Sequence, residues 1–225
     1  MTVWWRGSGN GWKRGGDRRV KAPKISDAVV RRLPVYLRFL KELSMSGVQT
    51  VSSQELGVKL DLNPAQIRKD LAYFGGFGKK GIGYDVNYLI DNIRHILKLD
   101  QTILVGLVGA GNLGQALCNY NMYLRDNVKI AAVFDNSPRK IGTAINNLRV
   151  QPIDELVDTV RALNIRIGII TVPAAEAQSV ADEFVRSGVE AILNFAPTVI
   201  RVPDTIRVHH ADFTAELHSL AYYLD

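Results

Sequence analysis

Thr102-Ile103-Leu104-Val105-Gly106-Leu107-Val108-Gly109-Ala110-Gly111-Asn112-Leu113-Gly114 is an apolar run that ends in a glycine-rich turn. The run has the length and β-branched content of a buried strand, and a helical pattern follows to about Leu124. Strand, tight turn and helix is the context in which Gly-x-Gly-x-x-Gly places a pyrophosphate at a helix N-terminus. A second strand, Val128 to Phe134, leads to Asp135, 21 residues beyond Gly114. An acid at that spacing accepts the ribose hydroxyls of a dinucleotide and repels a 2′-phosphate. NAD(H) is therefore expected over NADP(H), a preference slightly weakened by Arg139 nearby.

Working outward, the alternation continues. Helix Ile153–Leu163 precedes strand Arg166–Val172, then helix Ala174–Ser187 precedes strand Val189–Leu193. This pattern predicts a doubly wound parallel sheet. Two apolar loops follow strand ends, Thr171-Val172-Pro173-Ala174 and Asn194-Phe195-Ala196-Pro197. Ligands of such sheets sit at those ends, and both loops suit a flat nicotinamide ring; ordinary loop chemistry fits them equally. Phe213, Leu217, Leu220, Ala221 and Leu224 form an apolar helical stripe that covers either its own sheet or a partner's.

Toward the N-terminus, apolar residues at 29, 30, 33, 36, 37, 40 and 43 mark a helix, with Pro34 implying a kink or a fresh start. Ser52 with Glu55 is a capping box for a short helix reaching about Leu60. Asn63 and Pro64 start another that runs to about Phe74. Two short helices across a tight turn outline a helix-turn-helix. The second carries Gln66, Arg68, Lys69 and Asp70, read as its polar face, opposite Ile67, Leu71 and Phe74. Arg68 and Lys69 suit guanine edges or phosphate. Residues 75–86 hold five glycines around Lys79 and Lys80, the composition of a hairpin wing lying on a DNA backbone. An apolar-periodic helix from Tyr88 to about Leu97 joins the two halves.

Charge follows the same division. Residues 1–90 carry 16 Lys/Arg against 7 Asp/Glu, and residues 91–225 carry 12 against 15. A basic front half attached to a mildly acidic rear half suits a polyanion-binding module joined to something else. Residues 1–24 read equally as a disordered basic leader and as a functional arm. They lack the apolar core of a signal peptide, and no run approaches the roughly 18 apolar residues of a membrane span, so a cytoplasmic location is expected. The single cysteine, Cys118, excludes an intrachain disulfide and a cysteine-based zinc site. None of the four histidines sits in a metal-ligand pattern, and no acid/base pair for hydride transfer is evident. No catalytic residue and no metal are expected. Two enzyme-like alternatives remain: a small NAD-dependent oxidoreductase and a CoA-binding Rossmann protein. A constitutive DNA-binding protein that uses its rear half only to dimerise is a third.

Several segments together carry a specific resemblance. They are Arg32-Leu33-Pro34, Val51-Ser52-Ser53-Gln54-Glu55-Leu56, Ile67-Arg68-Lys69-Asp70-Leu71 and Gly78-Lys79-Lys80-Gly81-Ile82-Gly83-Tyr84. Gly109 to Gly114, Thr171-Val172-Pro173-Ala174, Ala177-Gln178 and Ile192-Leu193-Asn194-Phe195-Ala196-Pro197 complete the set. The sequence resembles the Rex family of bacterial redox-sensing repressors over roughly residues 26–224, leaving only the leader outside. The resemblance implies an N-terminal winged helix over 25–86, a linker helix over 87–101, a Rossmann domain over 102–211 and a swapped C-terminal helix over 212–225. It implies a homodimer on an inverted-repeat operator, with NADH releasing the DNA and NAD+ compatible with it. DNA contacts are expected from Ser52, Ser53, Gln66, Arg68, Lys69, Lys79 and Lys80. Cofactor contacts are expected from Gly109, Ala110, Gly111, Asn112, Leu113, Gly114, Tyr120, Asp135 and the two apolar loops. Arg32, Tyr120 and Asp212 form the implied redox-dependent switch set.

Overall fold

In the computed structural model, residues 26–72, 78–79 (backbone only), 83–120 and 127–224 are described. The leader over 1–24, Lys80, and the expected helix ends at Phe74 and Leu124 lie outside them. The chain divides into two compact units between Ile93 and Arg94.

In the first unit, α1 (Asp27–Met45) starts at the N-cap Ser26 and continues through Pro34 as one helix of 19 residues. The expected fresh start at Pro34 is therefore corrected. Proline removes the bond to the carbonyl four residues back, which belongs to Val30. Val30 is solvent-exposed, so water can take that carbonyl. Strand β1 (Thr50–Val51) precedes α2 (Ser53–Leu60), which is closed by the capping box: the Glu55 N–H donates to Ser52 Oγ and the Ser52 N–H to Glu55 Oε2. Helix α3 (Pro64–Ala72) follows, with Asn63 Oδ1 accepting the Ala65 N–H. Strands β2 (Gly78–Lys79) and β3 (Gly83–Asp85) form an antiparallel sheet with β1 in the order β1-β3-β2, and α4 (Val86–Ile96) follows and carries the chain across the boundary at Ile93. Helix-turn-helix and hairpin are thus both present.

Leu33, Tyr36, Leu37 and Leu40 of α1 pack into the core with Leu56, Ile67, Leu71, Val86 and Leu89. One charge lies among them. Asp70 sits on the buried face of α3, fully inaccessible, rather than on its polar face. Its Oδ2 accepts from Arg32 Nε at 2.6 Å and from the Tyr36 hydroxyl at 2.7 Å. Its Oδ1 accepts from Arg32 Nη2 at 2.9 Å and from Gln66 Nε2 at 2.7 Å. Burial alone raises this carboxyl, but the donors from Arg32, Tyr36 and Gln66 outweigh it and leave the group below its ordinary 3.8.

In the second unit, β4 (Ile103–Val108), α5 (Asn112–Tyr120) and β5 (Val128–Asp135) begin a parallel sheet. The hairpin β6 (Ala144–Ile145) and β7 (Leu148–Pro152), a 3-10 turn at Ile153–Glu155 and α6 (Leu156–Ala162) come next. Then follow β8 (Ile167–Ile170), a 3-10 turn at Ala174–Glu176, α7 (Ala177–Ser187), β9 (Ala191–Asn194), β10 (Arg207–His210) and α8 (Phe213–Ala221). The strand order is β10-β9-β8-β4-β5-β7-β6, parallel except for the β6–β7 pair. Apart from edge strand β6, this is the doubly wound dinucleotide-binding order. Phe134, Leu156, Val160, Ile170, Phe184 and Ile192 fill one face of the sheet; Val105, Leu107, Cys118, Val133 and Val150 fill the other. No helix among the described residues is long and apolar enough to cross a membrane.

Arg32→Met strands a buried carboxylate and should cost about 3–5 kcal/mol, read as a lower urea midpoint. Replacing Asp70 by Leu as well should recover much of it. Because the carboxyl is depressed in the fold, its contribution is present above pH 3.8 and is lost as pH falls through the folded value. In Arg32→Met burial is no longer offset by the guanidinium, so lowering the pH through the carboxylate range should recover stability instead of removing it.

Candidate functional site

The strand order switches between the parallel neighbours β4 and β8, since the chain leaves β4 toward β5 and later returns on the other side at β8. Crevices of this kind open at the carboxyl ends of the two strands. Gly109 closes the turn after β4 at φ 108°, in the left-handed region, and a Cβ there would stand 2.6 Å from the Thr171 carbonyl oxygen. A Cβ on Gly114 would stand 1.9 Å from the Gly109 oxygen. The Thr171 hydroxyl donates to the carbonyls of Val108, at 3.0 Å, and Gly109, at 2.8 Å. These contacts pin the turn to the end of β8. Gly111 is different, for nothing lies within 4 Å of the position its Cβ would take. That open floor in front of the α5 N-terminus is where a pyrophosphate approaches backbone N–H groups.

Asp135 ends β5 and is 5% exposed. Its Oδ2 accepts the Ala110 N–H at 2.8 Å and Lys140 Nζ at 3.0 Å, and its Oδ1 accepts the Ser137 N–H at 2.8 Å. Burial raises this carboxyl, but the N–H groups of Ser137 and Ala110 and the Lys140 cation overcome it and keep the group below 3.8. It is a carboxylate at neutral pH. The cation at this acid is Lys140 rather than the expected Arg139, which points to solvent. Lys140 stands five positions after Asp135, and the turn between them brings the lysine back.

A cleft of about 580 Å³ joins these parts, within the usual range for ligand sites. Gly109, Gly111, Leu113, Asp135, Thr171, Val172, Pro173 and Phe195, all named from the sequence as candidate cofactor contacts, line it. Asn136, Lys140, Ile153, Glu176, Ser179 and Val180 also line it and were not anticipated. Asn136 Nδ2 donates to Glu176 Oε2 at 3.2 Å across the rim. Other expected residues act from behind the wall. Ala110 offers its N–H to Asp135, Asn112 opens α5, and Gly114 seats the helix against the turn. Asn194 is buried, with Oδ1 accepting the Ala196 N–H and Nδ2 donating to the Thr198 carbonyl, so it shapes the loop that presents Phe195. Ala196 is buried and Pro197 exposed. Tyr120 is exposed at the end of α5. Cys118 is buried, and burial pushes its thiol up to about 11, far from a reactive thiolate.

In the first unit, Arg68 and Lys69 are exposed on α3. Arg68 Nη1 donates to the Ser53 hydroxyl at 3.0 Å. Ser53 is buried, so it holds Arg68, while Ser52 caps α2. Gln66 is half-buried and tied to Asp70. Lys79 lies in β2. Arg32 is engaged by Asp70, and Asp212 caps α8 by accepting the N–H groups of Thr214 and Ala215.

Comparison with known proteins bears on both units. A family model described as "Putative DNA-binding protein N-terminus" matches residues 24–72, and one described as "CoA binding domain" matches residues 100–198. The redox-sensing transcriptional repressor Rex of Brevibacillus brevis is 59% identical over 91% of this chain and 99% of its own length. The chain belongs to the Rex family of redox-sensing transcriptional repressors. The Rex of a Roseiflexus species is 50% identical over 88% of this chain and 90% of its own. Among solved structures, RSP in complex with β-NAD+ and operator DNA is 40% identical at TM-score 0.83, covering 88% of this chain and 92% of that one. RSP in complex with β-NADH is 38% identical at TM-score 0.80, covering 89% and 94%. The Rex relatives thus share both units described here, in the same order along the chain.

Two glycine variants separate fold from binding. Gly111→Ala should leave the thermal midpoint unchanged or raise stability by about 0.4–1 kcal/mol while cutting dinucleotide affinity. Gly114→Ala should instead disrupt the turn, lowering midpoint and affinity together.

Proposed function

We propose that this chain is a DNA-binding repressor that reads the NADH/NAD+ ratio, acting as a cytoplasmic homodimer on an inverted-repeat operator. One observation carries the reading: an ionised, three-donor Asp135 beside an open glycine floor stands on the same chain as a winged helix-turn-helix. The Rex relatives, named as transcriptional repressors, and the RSP complexes with operator DNA, β-NAD+ and β-NADH support it.

The residues divide the work by chemistry. Asp135 accepts ribose hydroxyls while Lys140 and two backbone N–H groups hold it in place. The turn from Gly109 to Gly114 receives the pyrophosphate at α5. Val172, Pro173 and Phe195 offer an apolar wall that disfavours a buried cation more than a neutral ring, so the reduced cofactor gains the larger affinity there. Ser52, Ser53, Gln66, Arg68, Lys69, Lys79 and Lys80 form the DNA face, Ser53 through its bond to Arg68.

Dimer formation follows from α8. Phe213, Leu217, Leu220 and Leu224 are all exposed, and a partner subunit that covers them removes a large apolar surface from water. A two-fold dimer sets its two recognition helices roughly 34 Å apart, or a multiple of that. Arg32, Tyr120 and Asp212 carry the coupling between cofactor state and DNA affinity. A shift from 1:99 to 99:1 between dimer states needs about 5.5 kcal/mol of differential binding. The working boundaries are a winged helix over 25–86, a linker helix over 87–101, a Rossmann domain over 102–211 and the exchanged helix over 212–225. No enzymatic turnover belongs to this reading. The description of the second family model favours one alternative ligand, CoA, for the same cleft.

On an A/T-rich palindromic duplex, the gel-shifted complex should dissolve as NADH is titrated and persist with NAD+. Equal retention with both cofactors would leave a constitutive DNA-binding protein. Asp135→Ala should weaken NADH by about 1.5–3 kcal/mol, roughly tenfold to a hundredfold, and NADPH much less, measured by isothermal titration calorimetry. CoA that displaces NADH at comparable concentration would favour the alternative.

A further inference from the structure

Asp70 is inaccessible to solvent, and all of its acceptor capacity is used. Four donors converge on two oxygens: Arg32 Nε and the Tyr36 hydroxyl on Oδ2, Arg32 Nη2 and Gln66 Nε2 on Oδ1. A carboxylate offers about four lone-pair sites, so the set is complete. Arg32 and Tyr36 come from α1, Gln66 and Asp70 from α3.

This arrangement decides which way the Gln66 amide faces. Turned over, it would set its carbonyl oxygen against the Asp70 carboxylate; as placed, its NH2 donates at 2.7 Å. Only one of the two N–H bonds is used. With the N–H anti to Oε1 given to Asp70, the syn N–H and the carbonyl oxygen Oε1 are left adjacent and coplanar. Gln66 is the third residue of α3, half-buried, with exposed Lys69 one turn on. The N-terminal residues of a recognition helix are the ones that meet base edges. An adjacent donor and acceptor match adenine, which presents N7 as acceptor and N6–H2 as donor in the major groove. Guanine presents two acceptors there, N7 and O6, and would set O6 against Oε1. Arg68 and Lys69 are donors only and cannot make this distinction.

We propose that Gln66 reads adenine in the operator and that Asp70, held by Arg32 and Tyr36, is the positioning residue that sets its amide. The proposal rests on the DNA-reading role of α3 given above. It makes the buried charge a determinant of sequence preference as well as of stability.

The test uses the full chain and a pool of duplexes with a randomised inverted repeat, from which the wild type selects its preferred sequence. Affinities are then measured at one salt concentration for that duplex, for each A·T→G·C replacement, and for 7-deazaadenine at each adenine, which removes only N7. One adenine per half-site should be sensitive, its replacement by guanine or by the deaza base costing about tenfold. Gln66→Met should bind the adenine, guanine and deaza duplexes equally at that position while keeping its preferences elsewhere. Asp70→Asn should erode the same discrimination in the wild-type background and add nothing in Gln66→Met, because it acts through the glutamine. Should Asp70→Asn lose all duplex binding through misfolding, Tyr36→Phe supplies the cycle, since it keeps the Arg32 pair and removes one hydrogen bond to Asp70.

Gln66→Met that retains the adenine preference overturns the reading role, as does a uniform affinity change across all duplexes. Positioning variants that fold and keep wild-type discrimination overturn the role of Asp70. A wild type that selects no duplex overturns the function reading itself, and this proposal with it.

Discussion

The hydroxyl of Thr171 reaches across from the end of β8 to the carbonyls of Val108 and Gly109, and the turn after β4 is built around that contact. The Gly109 N–H donates to the Phe134 carbonyl at 2.8 Å, and the Ala110 N–H reaches Asp135. The ends of three neighbouring strands, β4, β5 and β8, are thus joined through one short turn. Each bond is worth only about 0.5–1.5 kcal/mol net, but each fixes a position rather than merely adding stability. No side chain fits at Gly109 or Gly114 in this arrangement, and none stands over Gly111. Everything the cleft offers a ligand follows from that close approach: a bare floor, a helix N-terminus and an acid held at the next strand end.

Two buried carboxylates organise the two units, and they are held differently. Asp70 meets the planar fork of Arg32 in a bidentate pair with side-chain exposures of 25% and 0%. Asp135 meets Lys140, a point charge on a flexible stem that is 40% exposed, and takes its remaining bonds from the backbone. An arginine fork sets orientation as well as charge, which suits a helix whose rotation decides what it reads. A lysine beside an acid holds the charge and yields to a new partner more easily. Neither pair is a strong source of net stability, since desolvation takes back much of the Coulombic gain. What both supply is geometry.

Helix α8 stands apart from this economy. It is nine residues long and none of its residues is buried, although Phe213, Leu217 and Leu220 are large and apolar. A helix that short is marginal in water without tertiary packing. Its N-terminus is well made, with Asp212 accepting two backbone N–H groups, but its apolar stripe has no counterpart within the described chain. In the dimer proposed above, the partner subunit covers that stripe.

The local signals in the sequence were sufficient for the helices, the wing and the four central strands of the second unit, in their order. Capping residues marked the starts of α2 and α3, glycine spacing marked the cleft, and the periodicity of apolar runs separated strands from helices. Family motifs spread from Arg32 to Pro197 were enough to place the chain among its relatives. Only the fold revealed that Asp70 belongs to the buried side of α3, because nothing in a nine-residue helix announces that an arginine 38 positions earlier will arrive to neutralise it. The same holds for Lys140 in place of Arg139, for Ser53 holding Arg68, and for Asn194 bracing its loop rather than facing the cleft. Strands β6, β7 and β10 went unread because short strands with many half-exposed residues carry little periodicity and depend on the neighbour they pair with. Propensity and pattern act over a turn or two of chain. The partner of a buried charge is chosen by where distant segments meet, and that is settled only when the whole unit packs.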